Sequence, residues 1–158
     1  MQPLVLLDVD GVINDLGALC GVGRSHEIEV IRSNGYAVHI PAYMPGLIRE
    51  ITGNAEVWWC TTWRQRANGE IAAHLGIGTL PVVDDGTRVR NTGWKAAAAS
   101  RLIAEALDQG RPVYWIEDFY GNPPREQVPS GVVFIDTAAD THDPVLRRSQ
   151  LPAELLAA

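Results

Sequence analysis

"PLVLLDVDGVIN" (residues 3–14) decides how this chain is read. Leu4-Val5-Leu6-Leu7 is apolar at every position and runs directly into Asp8-Val9-Asp10-Gly11. A short run of this kind suits a strand of a parallel sheet, buried on both faces. Two carboxylates two residues apart repel each other, so a cation or a shared proton has to accompany them.

Similar runs recur at 56–60, 112–116 and 132–135, with a weaker one at 80–83. Helical patterns lie between them at 44–51, 66–75 and 95–107, the last alanine-rich and stopping at Gly110. Strands alternating with helices predict an α/β fold, a Rossmann-like three-layer sandwich around a central parallel sheet. Ligands of such sheets bind at the carboxyl ends of the strands, where strand order reverses. Asp8 and Asp10 stand at such an end. Residues 27–40 carry two β-type arms around Asn34-Gly35, the dipeptide of a tight hairpin turn, and predict a small hairpin flap after the first strand. Asp85-Gly86 suggests a second hairpin, and residues 140–158 a short packing helix. The 158 residues suit one domain, 1–158.

A hydrophobic content of 46% and a charged content of 20% are ordinary for a globular protein. No apolar run is long enough to span a bilayer, and the start lacks the basic and small-residue pattern of a signal peptide. A net charge of -6 argues against an extensive duplex nucleic-acid surface. The two cysteines, Cys20 and Cys60, form no paired motif and read as reduced thiols of a cytoplasmic protein, Cys60 buried.

The spacing of Asp8 and Asp10 is wrong for a calcium loop, because Val12 stands where a third ligand is needed. Mg²⁺ held by one or two carboxylates and a substrate phosphate fits better. Three further stations come later in the chain. Thr61-Thr62-Trp63-Arg64 places hydroxyls after a buried strand, where a phosphate can be met. Lys95 begins a strong helix, a position the helix dipole disfavours for a cation unless an anion is met there. Glu117-Asp118 again puts acids after a buried strand, able to approach Asp8.

With these stations in this order, the chain resembles the haloacid dehalogenase (HAD) superfamily. "LLDVDGVIN" resembles its first motif, "WCTTWR" its second, Lys95 in "NTGWKAAAA" its third and "WIEDFYG" its fourth. The resemblance implies a sheet of strand order 5-4-1-2-3. It implies Asp8 as nucleophile forming an aspartyl-phosphate, and Asp10 as general acid and then base. Thr61 would bond the transferred phosphoryl group and Lys95 neutralise it. Mg²⁺ would be held by Asp8, Asp10 through its carbonyl, Asp118 and Glu117. Gly11, Thr62 and Arg64 are expected on the substrate, with Thr62 an alternative to Thr61, and Arg66 beside Arg64 for a second phosphate. About thirty-five residues separate the first motif from the second strand's helix, too few for a large cap domain.

The implied activity is a Mg²⁺-dependent phosphomonoester hydrolase. Capless relatives act on larger phosphorylated substrates, and a nucleotide or nucleic-acid end is one candidate. Trp59, Trp63, Trp94, Trp115 and Tyr120 offer rings for stacking, although tryptophans are more often core. A phosphotransferase and a non-catalytic phosphate-binding or interaction module on the same scaffold are the alternatives.

Overall fold

A computed structural model describes residues 1–84, 86 and 93–156. Four strands form one parallel sheet: β1 (Leu4–Leu7), β4 (Glu56–Trp59), β5 (Val113–Glu117) and β6 (Val132–Asp136). Their order is β4-β1-β5-β6. β1 is central, with Leu7 registered to Trp59 on one side and Ile116 on the other. These three strands therefore end level with one another, and the segments leaving their carboxyl ends are brought together.

The sheet departs from the expected five-stranded order. Residues 80–83 add only a single parallel bridge, Trp59 with Val82. Trp59 donates to Pro81 O and accepts from Val83 N, but Pro81 has no N–H to extend the ladder.

Both faces of the sheet are covered. On one, Val5, Leu7 and Val57 pack with Leu47, Ile48 and Ile51 of α2 (Met44–Asn54) and with Ile71 and Leu75 of α3 (Glu70–Leu75). On the other, Leu4, Leu6 and Trp115 pack with Ala96, Ala99 and Ile103 of α4 (Trp94–Asp108). The expected single helix over 66–75 is broken instead. A 3₁₀ turn, Arg64–Asn68, precedes α3, and Gly69 between them adopts a non-helical backbone. Asn68 is held there by the core, because its side chain accepts from Trp59 Nε1 and Leu80 N and donates to Leu80 O. In place of a tail helix there are two 3₁₀ turns, Arg148–Gln150 and Ala153–Leu155, with Leu155 buried.

The hairpin consists of β2 (Ile28–Ser33) and β3 (Tyr36–Pro41), antiparallel. Asn34 and Gly35 both have positive φ, 50° and 84°, as the tight turn requires. Its inner arm is docked through its second half. Val38 and Ile40 are buried, and the His39 backbone accepts from Asp15 N and donates to Asn14 Oδ1. Between β1 and the hairpin lies α1 (Leu16–Leu19), a single turn capped by Asp15 that the sequence pattern did not suggest. The second expected hairpin lies largely outside the described residues. Among the described residues no helix is long and apolar enough to cross a membrane.

Candidate functional site

The strand ends converge on Asp8. Its carboxylate is buried, accepts from Val9 N at 2.7 Å and lies 2.8 Å from Lys95 Nζ. Lys95 reaches it from the first turn of α4. The same ammonium lies 2.7 Å from Glu117 Oε1, while Glu117 Oε2 accepts from Trp115 Nε1 at 2.8 Å. Burial works against the Lys95 charge, but Asp8 and Glu117 outweigh it and raise its pKa. It is therefore a permanent cation between two acids.

Asp8, Glu117 and Asp118 each offer an oxygen, and these lie within 4.8 Å of one another. Burial, then the charges of Asp8 and Glu117, push the Asp118 carboxyl up to about 7. Glu117 is pushed up by burial and by Asp8, against the opposing pull of Lys95. Three crowded carboxylates sharing one ammonium leave excess negative charge, and an all-oxygen donor set of this kind suits a hard cation such as Mg²⁺. Gly11 is shaped to this cluster. A Cβ there would stand 2.5 Å from Asp118 Oδ2, and its φ of +73° is one that side chains resist.

Asp10 is not one of the clustered carboxylates. Its Oδ1 accepts from Asn14 Nδ2 at 2.8 Å and its Oδ2 from Trp63 Nε1 at 3.0 Å. The two bonds fix the orientation of the carboxylate, and each oxygen keeps a second lone pair. It lines a cavity of about 470 Å³ together with Asn14, Thr62 and Trp63.

The two threonines are divided between inside and outside. Thr61 is fully buried and its Oγ1 accepts from Trp63 N, which turns the chain into the 3₁₀ segment. Thr62 is exposed and belongs to the cavity beside Asp10. Arg64, expected on substrate, lies 2.7 Å from Asp84 Oδ1 and stacks 4.7 Å over the Trp94 ring.

No family model, no curated protein and no solved structure matches this chain.

Several residues that are not among the expected site residues also build the site. Asn14 ties Asp10 to the hairpin, because its amide oxygen accepts from His39 N. Asp136 ends β6 opposite Glu117 and accepts from Phe119 N, Gly121 N and Ala138 N. It thus pins the turn after Asp118. For Asp136 a signal did exist, since an acid ending a buried strand is what marks Asp8 and Glu117. Asp15 is fully buried and accepts from Arg24 Nε and His26 Nε2. Burial opposes its charge, but Arg24, Ala18 N and His26 hold its pKa low, and the loop before the hairpin is locked down. The four tryptophans Trp59, Trp63, Trp94 and Trp115 are core residues, whereas Tyr120 is half-exposed. Cys60 is buried, which pushes its thiol far up and leaves it inert.

Proposed function

We propose that this chain is a phosphomonoester hydrolase of HAD type, cytoplasmic, working through an aspartyl-phosphate on Asp8. The observation that carries the reading is the buried Asp8 carboxylate, 2.8 Å from Lys95 Nζ and within 4.8 Å of Asp118 across a glycine that leaves room for it. A stability device would not favour this arrangement, since buried like charges are costly unless a ligand compensates them.

Asp8 and Asp118 would hold Mg²⁺, with Asp10 contributing its carbonyl and Glu117 acting from behind by holding Lys95. The cation supplies charge neutralisation at the phosphoryl oxygens. The chain's own groups do the rest. An Asp8 oxygen attacks phosphorus, the bond to the leaving oxygen breaks, and Asp10 gives that oxygen its proton. Asp10 then takes a proton from water, whose oxygen attacks the aspartyl-phosphate. Phosphate leaves and Asp8 is regenerated. Lys95 holds the nucleophile and meets the phosphoryl charge, and a hydroxyl of the Thr61-Thr62 pair would donate to it. Asn14 and Trp63 fix the direction from which the proton comes.

On this reading the hairpin forms a wall of the site, with β3 tied to Asn14 and Asp15 through the His39 backbone. A screen of phosphomonoesters with Mg²⁺ tests the reading. Phosphate release that stops in EDTA and in Asp8→Asn is expected. Release unaffected by either would overturn it. Transfer to an added alcohol in place of water would identify a phosphotransferase.

A further inference from the structure

The cavity beside Asp10 is used by none of Asp8, Lys95 and Asp118. On the proposed reading Asp10 hands its proton to the leaving oxygen, so what lies beyond Asp10 is the space for the leaving group. That space has about 470 Å³, within the range of roughly 300–1,000 Å³ typical of small-molecule sites.

Its walls have a definite chemistry. Tyr36 of β3 is 63% exposed and Leu19 of α1 is 47% exposed, and both open onto this cavity from different elements. Tyr36 meets the Trp63 ring edge-to-face at 6.0 Å, and Trp63 is in turn bonded to Asp10. The aromatic wall is therefore held in place and continuous with the carboxylate. Polar groups interrupt the apolar surface. The Thr62 hydroxyl lines the cavity, and the Arg66 guanidinium sits 5.7 Å over the Trp63 ring with no ion-pair partner among the described residues.

We infer that this cavity is a nucleoside site, and that the substrate class is the nucleoside monophosphates. The inference rests on the hydrolase reading for the direction of Asp10. A flat base covers Tyr36 and Leu19, and stacking on an aromatic wall is favourable for any base. Arg66 meets the base edge or face as a donor and cation. The ribose hydroxyls reach Thr62 and Asn14. A sugar alone leaves the apolar wall uncovered, and a plain hydrocarbon chain makes no hydrogen bond with Arg66 or Thr62.

The test is calorimetric titration of Asp8→Asn, which holds ligand without turnover, with AMP, ribose 5-phosphate and p-nitrophenyl phosphate in Mg²⁺. AMP is expected to bind about tenfold more tightly than ribose 5-phosphate. Adding Tyr36→Ala, at an exposed position, is expected to shrink that ratio to about threefold or less. Leu19→Ala gives a second, independent measure of the same wall. AMP and ribose 5-phosphate binding equally well would overturn the nucleoside site. So would p-nitrophenyl phosphate matching AMP, which would make it a site for simple aryl groups. Turnover of the same compounds by the unaltered chain separates the two readings. Hydrolysis without AMP preference removes the nucleoside site alone, and selective AMP binding without hydrolysis removes the hydrolase alone.

Discussion

A β carbon on Gly11 would lie 2.5 Å from Asp118 Oδ2. The glycine is thus part of how the second carboxylate reaches Asp8. Gly11 also donates to Asn14 O and accepts from Thr137 Oγ1, so its backbone cannot move aside freely. Gly11→Ala is expected to cost about 1–3 kcal/mol through its left-handed backbone. It should also lower Mg²⁺ affinity by about tenfold or more as Asp118 is displaced. Calorimetry against Mg²⁺ beside a denaturant curve separates the two effects, and unchanged affinity would disconnect Gly11 from the site.

The acidic cluster gives stability a definite pH dependence. In the unfolded chain Asp118 and Glu117 titrate near pH 4. In the folded chain burial, then Asp8 and Glu117, raise Asp118 to about 7, and burial and Asp8 raise Glu117. Between those limits the folded state holds more protons than the unfolded state, so stability contributed below about pH 4 is lost as pH rises toward 7. Mg²⁺ binds the deprotonated form. Its stabilising effect should therefore be larger at about pH 8 than at about pH 5.5. Melting curves in EDTA and in Mg²⁺ at both values test this, and an equal or larger Mg²⁺ effect at the lower pH would contradict it.

Lys95 neutralises two acids at once. Removing one partner of a buried charge group costs about 3–5 kcal/mol, because the others are left uncompensated. Lys95→Met should lose stability on that scale in urea with EDTA present. Adding Glu117→Gln should recover part of the loss, since one of the orphaned charges is removed. If the second substitution makes matters worse, the two residues are not coupled as described.

Trp63 positions Asp10 through its Nε1. Trp63→Phe keeps an aromatic ring and removes the donor. Turnover of an alkyl phosphate, whose leaving oxygen needs a proton, should fall by about tenfold or more. Turnover of p-nitrophenyl phosphate, whose leaving group needs none, should fall much less, and Mg²⁺ affinity should not move. Equal losses on both substrates would make Trp63 a packing residue only.

How far these features can be read from the sequence varies with their physical origin. β1 and β5 are legible because strands buried on both faces show as continuous apolar runs, and the acids ending them stand out against that background. β6 is apolar in sequence too, although at the sheet edge its Val133 is half exposed. The hairpin is legible from Asn34-Gly35, where only a few residues tolerate positive φ. The edge at 80–83 misleads because hydropathy is blind to the missing N–H of Pro81. The break at Gly69 is hidden because Asn68 is captured by Trp59 and Leu80, which are distant in sequence. The bonds of Asn14 and Trp63 to Asp10 and the place of Tyr36 on the cavity depend on how the hairpin docks, which periodicity does not encode. Arg64 reads as a phosphate ligand beside Thr62, yet in the fold it lies against Asp84 and Trp94.

The central claim is that Asp8 is phosphorylated during turnover. Asp10→Asn blocks the hydrolysis of an aspartyl-phosphate but not its formation from p-nitrophenyl phosphate, whose leaving group needs no proton. Mass analysis of acid-quenched Asp10→Asn protein after incubation with Mg²⁺ and p-nitrophenyl phosphate is the most direct test. One phosphoryl group on Asp8, absent in EDTA and absent when Asp8→Asn is added, is the result predicted. No phosphorylated protein at any time, while the unaltered chain releases phosphate, would contradict the account.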